Sequence, residues 1–188
     1  MIKIKPLRSI TIDEMNTFGY NGFMTDIIYQ VERGLEVDGM SFTITPKKLE
    51  STYVKEWRTT IESISYYNDI ISKGLSLGAY DGEKLVGFIV ASDIDWNNSL
   101  WIENIRVAEN YKGRGISQMI LEAIEGLGKE KDYRLIGLEV MASNYPAIQA
   151  YKRQHYIIDG VDMSLYPTRP GGQKEVALFM KKYLSDRV

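Results

Sequence analysis

The chain has 188 residues, 44% of them hydrophobic and 26% charged, with a net charge of −2 and a pI near 5.6. That size and composition suit one compact domain with a buried core, and give no global signal for nucleic acid or an anionic membrane. The absence of cysteine removes disulfides, thiolate nucleophiles and thiolate metal sites, and the single histidine, His155, removes a histidine metal cluster. No metal is therefore expected. The start MIKIKPLRSI lacks an apolar core of signal-peptide length and no run approaches a membrane span, so a cytoplasmic protein without a membrane partner is expected.

In chain order, Lys3 to Ser9 suits an edge strand. Thr11-Ile12-Asp13-Glu14 reads as a capped helix start. Gly19 and Gly22 then interrupt the pattern. Phe42 and Ile44 suggest a short strand ending at Pro46. Val54, Trp57, Ile61, Ile64 and Ile71 recur at helical steps toward Gly74, which predicts a helix with a glycine at its C-terminal end. LSLGAYDGEKLVGFIVA reads as a hairpin turning at Asp81-Gly82. A second turn at Asn97-Asn98-Ser99 leads into the strand LWIENIRVA.

Next comes a glycine-rich turn, NYKGRGIS. Beyond it Ile116, Met119, Ile120, Ala123, Ile124 and Leu127 line one face of an amphipathic helix. Leu135 to Met141 is a nearly continuous apolar run, as in a strand covered on both faces. Asn144 and Pro146 open another helix, through about Gln154. Strands near Tyr156 to Tyr166 and Glu175 to Leu184 flank a Pro/Gly-rich loop. The order is an antiparallel meander, then strand-helix-strand-helix, then a closing hairpin. This is an α/β domain.

Glycines at a helix N-terminus let an anion approach bare N–H groups, and Lys112 and Arg114 add positive side chains, so a pyrophosphate is the natural guest. A plain tight turn with solvated basic residues is the alternative. No P-loop is present, and a dinucleotide fingerprint fails because Gln118 stands where its third glycine would.

Lys112-Gly113-Arg114-Gly115-Ile116-Ser117, together with Asn144, Ala147 and Tyr151, resembles the GNAT superfamily of acyl-CoA-dependent N-acetyltransferases. The superfamily patterns are Gln/Arg-x-x-Gly-x-Gly/Ala and Asn-x-x-Ala-x-x-x-Tyr. Two positions depart from the first: Lys112 replaces Gln/Arg and Ser117 replaces Gly/Ala. The resemblance covers roughly residues 75 to 184. WIENIRVA, GVDMSLYP and EVALFM are most similar to the streptothricin N-acetyltransferases.

The resemblance implies a mixed, mostly antiparallel central sheet flanked by helices, with a splayed strand pair at the acetyl-CoA site. It implies one domain over 1–188, residues 1–74 on the acceptor side and 75–188 forming the cofactor-binding core. Lys112, Gly113, Arg114, Gly115, Ile116 and Ser117 would take the pyrophosphate of acetyl-CoA. Backbone at Ile105, Arg106 and Val107 would run along the pantetheine, with the Val107 N–H facing the thioester oxygen. Asn144, a natural helix cap, would contact the pantetheine arm.

Tyr151 would be the general acid, the alternative being a core tyrosine on the Ala147–Ile148 face. Glu103, placed by strand alternation beside Trp101, Ile105 and Val107, is the candidate base. Asp93, Asp95 and Asp162 are weaker candidates, better as anchors for a cationic substrate. His155 reads as helix-end packing. The expected reaction is direct acetyl transfer to a small-molecule primary amine, streptothricin at its β-lysine being the best guess. The rivals are a protein or peptide N-acetyltransferase and a non-catalytic acyl-CoA-binding regulatory module. The chain could pair as a homodimer.

Overall fold

The computed structural model describes residues 1–36, 38–167 and 174–184. Among these residues the strands and α-helices run in the order β1 (Ile2–Pro6), α1 (Ile12–Thr17), β2 (Gly22–Glu36), β3 (Gly39–Glu56), α2 (Ile61–Ile71), β4 (Leu77–Asp81), β5 (Lys84–Ile94), β6 (Ser99–Val107), α3 (Ile116–Glu130), β7 (Leu135–Met141), α4 (Tyr145–Arg153), β8 (Ile157–Asp162) and β9 (Ala177–Tyr183). Seven strands form a sheet of order β1-β4-β5-β6-β7-β9-β8, and β2 pairs β3 in a separate ribbon. β1·β4, β4·β5 and β5·β6 are antiparallel, and β6·β7 is parallel. This is the mixed α/β architecture the sequence predicts. Part of the expected Pro/Gly-rich loop, residues 168–173, lies outside the described residues.

The chain divides into two compact units, one of Met1–Asn21, Trp57–Leu138 and the residues from Lys181, the other of Gly22–Glu56 and Glu139–Met180. In the first, Thr11 and Thr60 each close a capping box, with Glu14 and Ser63, and so start α1 and α2. These helices bury Met15, Phe18, Ile64, Ile70 and Ile71 against Leu85, Phe88 and Val90 of β5. Gly74 takes φ +81 just past α2, which suits a glycine. On α3, Ile116, Ile120 and Ile124 are buried with Leu121, each fully buried isoleucine contributing about 2 kcal/mol. The helix approaches the sheet at Gly87, where a Cβ would lie 3.1 Å from both Ile116 and Ile120.

The second unit holds the β2–β3 ribbon, β8 and α4. Tyr29 anchors the ribbon. Its N–H donates to the Ala142 carbonyl at 2.9 Å, its hydroxyl accepts from Gln149 (2.9 Å) and Lys152 (2.8 Å), and its ring packs on Tyr145.

Three expectations are corrected. The helix predicted from Val54 begins at Ile61, Val54 lying inside β3. The short strand thought to end at Pro46 runs on to Glu56, and Pro46 pairs with Tyr29. The side chains of β3 are mostly exposed, so it lacks the clean alternation of a half-buried strand. In the β4–β5 hairpin Asp81 pairs with Lys84, so the turn is Gly82-Glu83, with the positive φ at Gly82.

Candidate active site

One group of candidate residues lies within the first unit, at the end of β6. Parallel pairing of β6 with β7 covers only Ser99 to Ile102, opposite Leu135 to Leu138. Beyond it β6 stays paired with β5, but the register shifts between Val90 and Ala91, whose partners are Asn104 and Ile102. Glu103 is therefore the extra residue of a β-bulge. The shift decides which backbone groups are left over. Ala108 N–H donates to Val86 O at 2.9 Å, so Ala108/Val86 and Arg106/Phe88 are the hydrogen-bonded pairs of this antiparallel ladder. Val107/Gly87 and Ile105/Ile89 are the alternating pairs whose N–H and C=O groups point away from β5. Val107 and Ile105 thus present backbone polar groups on the side where pairing with β7 has already ended.

The bulge also corrects the expected placement of Glu103. Ile105 and Val107 share a face with Gly87 and Ile89, the face toward α3. Glu103 sits instead on the Trp101 face, where the Ser92 hydroxyl donates to its Oε1 at 2.8 Å. Burial, then the charge on Glu103, push the Tyr66 phenol up. On the same face Asn104 donates to the Tyr67 hydroxyl at 2.7 Å. Arg106 lends nothing outward: its backbone faces β5, and its guanidinium donates to the Gly19 carbonyl at 2.8 Å and lies over the Phe18 ring.

After Ala108 a short 3₁₀ turn, Glu109–Tyr111, leads to the glycines. Gly113 and Gly115 both take φ +76, and a Cβ on either would meet nothing within 4 Å. The α3 ladder begins with Met119 N–H to Gly115 O, so the N–H groups of Ile116, Ser117 and Gln118 precede it. No side chain caps them, and the first turn carries no acidic residue. Bare donors, positive dipole end and open space make an anion cradle. Lys112 pairs with Glu109 at 2.6 Å. Arg114 stacks on Tyr111, which donates to Asp81 at 3.1 Å.

A separate group of candidate residues lies within the other unit. Asn144 caps α4, accepting from the Ala147 N–H at 3.3 Å. Tyr151, on α4, is only 8% exposed, and burial, then the charge of Glu139, push its phenol well up. It packs on Tyr156. His155 ends the helix at φ +64, exposed, its N–H bonded to Lys152 O. Asp162, offered as a cation anchor, is spent on a turn: its Oδ1 accepts from the Ser164 N–H and hydroxyl and from the Leu165 N–H. The neighbouring Asp93 raises the Asp95 carboxyl above its ordinary value.

Sequence reasoning passed over Glu139, Tyr166 and Glu175. The Tyr166 hydroxyl lies 2.8 Å from both Glu139 oxygens, and buried Glu175 accepts the Ser143 N–H (3.2 Å) and hydroxyl (2.8 Å). The available signal was the lone carboxylate inside LIGLEVM. Among the described residues there is no group of three or more side chains that could hold a metal, and no helix is long and apolar enough to cross a membrane.

Comparison with known proteins gives a consistent relationship. The streptothricin acetyltransferase of Streptomyces lavendulae is 36% identical over 106 residues, covering 56% of this chain and 54% of that protein. Streptothricin acetyltransferase A of Bacillus subtilis (strain 168) is 27% identical over 138 residues, 73% of this chain and 78% of that one. The chain spans about half the length of the first curated relatives it matches, 54% and 58%. In fold it is similar to the crystal structure of nourseothricin acetyltransferase, with a TM-score of 0.74, 24% identity and coverage of 98% and 99%. It also resembles a Bacillus anthracis str. Ames protein provisionally named streptothricin acetyltransferase, solved in complex with acetyl coenzyme A, at TM-score 0.71, 21% identity and coverage of 97% and 99%. The model of the acetyltransferase (GNAT) family matches residues 45–156, more than half of the sequence, and the chain belongs to that family.

Proposed function

We propose that the protein transfers acetyl from acetyl-CoA directly to a primary amine, with streptothricin, at its β-lysine, as the preferred acceptor. The observation that carries the transfer is the end of β6, where Val107 and Ile105 turn backbone donors away from the ladder just ahead of an uncapped, glycine-led helix. The streptothricin names of the relatives support the acceptor.

In this reading the turn from Lys112 to Ser117, with its bare N–H groups at Ile116 and Ser117, holds the pyrophosphate of the substrate, and β6 and Asn144 hold its pantetheine arm. The amine nitrogen attacks the thioester carbonyl carbon. The carbonyl oxygen gathers negative charge, and the Val107 N–H donates to it, a preorganised donor being worth about 3 kcal/mol. The C–S bond breaks as the tetrahedral adduct collapses to the amide, its nitrogen releasing a second proton to water. A free alkylamine has a pKa of about 10.4 and must shed a proton first. Glu103, fixed by Ser92, takes it directly or through water. The departing thiolate needs a proton back, and Tyr151, a neutral phenol held protonated by burial and Glu139, supplies it.

The test is mass spectrometry of the products formed from acetyl-CoA and a panel of amines led by streptothricin. Acetylated streptothricin is expected. Acetylation of peptides only would keep the chemistry and replace the acceptor. Coenzyme bound without any acetylated product would make the chain a regulatory acyl-CoA-binding module.

A further inference from the structure

Among the described residues Glu175 is the one charged side chain that is buried, only 7% exposed. Burying a carboxylate is costly unless donors meet it, and an apolar side chain of similar volume often serves stability as well. The donors here are specific. Oε1 accepts the Ser143 N–H at 3.2 Å, and Oε2 accepts the Ser143 hydroxyl at 2.8 Å. The Tyr53 hydroxyl adds a longer bond to Oε2, at 3.4 Å. Both oxygens therefore grip one residue, by its backbone and its side chain together.

Ser143 is the middle residue of the junction 142–144, between the end of β7 at Met141 and the start of α4 at Tyr145. The junction is tied from several sides. Ala142 donates its N–H to the Val176 carbonyl at 2.8 Å and accepts from the Tyr29 N–H at 2.9 Å. The Asn144 N–H returns to the Met141 carbonyl at 2.8 Å, and the Tyr145 N–H bonds the Ser143 carbonyl at 2.9 Å. Asn144 spends its Oδ1 on the Ala147 N–H, and its amide donors bond no described residue. All these residues lie in one unit. The placement of Ser143 thus sets where those amide donors point and the direction in which α4, carrying Tyr151, sets out.

We propose that Glu175 is a positioning residue for acetyl transfer: its grip on Ser143 aims the Asn144 amide at the pantetheine arm and α4, with Tyr151, at the leaving sulfur. This rests on the acetyl-transfer reading and adds to it a residue that touches neither substrate. The carboxylate is buried for direction rather than for stability. An error of about 1 Å in the placement of reacting groups costs on the order of 10²-fold in rate. Glutamine can keep the grip, because the Ser143 hydroxyl rotates to accept from its amide while the Ser143 N–H still meets its oxygen. Methionine fills a similar space and cannot.

The probes are coenzyme A and adenosine 3′-phosphate 5′-diphosphate, the half of coenzyme A without pantetheine. They are titrated calorimetrically into the full chain as wild type, Glu175→Met, Glu175→Gln and Ser143→Ala. Glu175→Met should lose affinity for coenzyme A by about threefold or more, the worth of one hydrogen bond. Its affinity for the fragment, and the stoichiometry of both ligands, should match wild type. With acetyl-CoA and streptothricin its kcat should fall by about tenfold or more, and Glu175→Gln should restore most of both losses. Ser143→Ala keeps the N–H bond and should show the same selective loss at smaller size; it decides the question if Glu175→Met does not fold. In a folded variant, parallel weakening of both ligands marks a purely structural role and overturns the proposal. So do wild-type behaviour of the deciding variant, equal impairment of Glu175→Gln and Glu175→Met, and a wild type that binds the two ligands equally. The transfer reading fails separately: selective loss of coenzyme A affinity, without acetylated product from any amine, would sink it and leave the positioning of Asn144 standing. Acetylation with no selective loss in the variants would do the reverse.

Discussion

Gly113 and Gly115 carry the anion cradle through a backbone conformation that other residues adopt at a cost, with open space where their side chains would be. Gly115→Asp should weaken coenzyme A binding at least tenfold by calorimetry, because it sets a carboxylate against the phosphates. Gly115→Asn, which tolerates the left-handed conformation and lacks the charge, should lose much less. Equal losses in the two would assign the effect to strain. His155 tests the same physics from the other side. It sits at φ +64 where a glycine would be unstrained, and nothing in its surroundings calls for an imidazole. His155→Gly should raise stability by about 0.5 kcal/mol in urea denaturation, the relief of left-handed strain being partly offset by the greater freedom of the unfolded chain. The glycine turn was legible because its positive φ angles and bare N–H groups follow from its own residues. Glu139 was not, because its significance depends on what surrounds it: a lone carboxylate in an apolar run gives no hint of Tyr166 or Tyr151.

At the scale of elements, what sequence reading captured is what periodicity and capping dictate. α3 begins at Ile116 and β7 spans Leu135–Met141 as expected, because one buried face or two leave an unambiguous pattern. The ribbon escaped because β2 and β3 are satisfied mainly by each other. With few buried positions, Val54 and Trp57 fell by accident into register with the true helix beyond Thr60. The bulge at Glu103 escaped for a different reason. Insertion of one residue reverses every later side chain, and only the partner strand reveals it. The closeness of α3 to β5 is testable. A Cβ at Gly87 would meet Ile116 and Ile120 at 3.1 Å and the Arg106 carbonyl at 3.3 Å. Gly87→Ala should cost about 1–2 kcal/mol and, by shifting the first turn of α3, weaken coenzyme A binding as well. A stability loss with unchanged cofactor affinity would detach the helix position from the cradle.

For the molecule as a whole, the pH dependence of stability has a definite sign. Burial raises the Glu139 carboxyl above its unfolded value. Its contribution is therefore fully present below the ordinary glutamate range and is lost as pH rises through the raised value. Replacing it with glutamine should flatten that decline, so the Tm advantage of Glu139→Gln should grow between pH 4 and 7. The Tyr151 phenol is displaced upward from its ordinary value, so it stays protonated well past neutrality and the alkaline loss of kcat assigned to it should fall above the ordinary phenol range. The most direct measurement of the central claim is thiol release from acetyl-CoA with streptothricin as acceptor, comparing wild type with Tyr151→Phe. The account predicts turnover by the wild type and a fall in kcat on the order of 10²-fold in the variant, with KM for acetyl-CoA essentially unchanged. Wild-type protein that binds acetyl-CoA yet releases no thiol with streptothricin or any other amine, or a Tyr151→Phe variant as fast as the wild type, would contradict it.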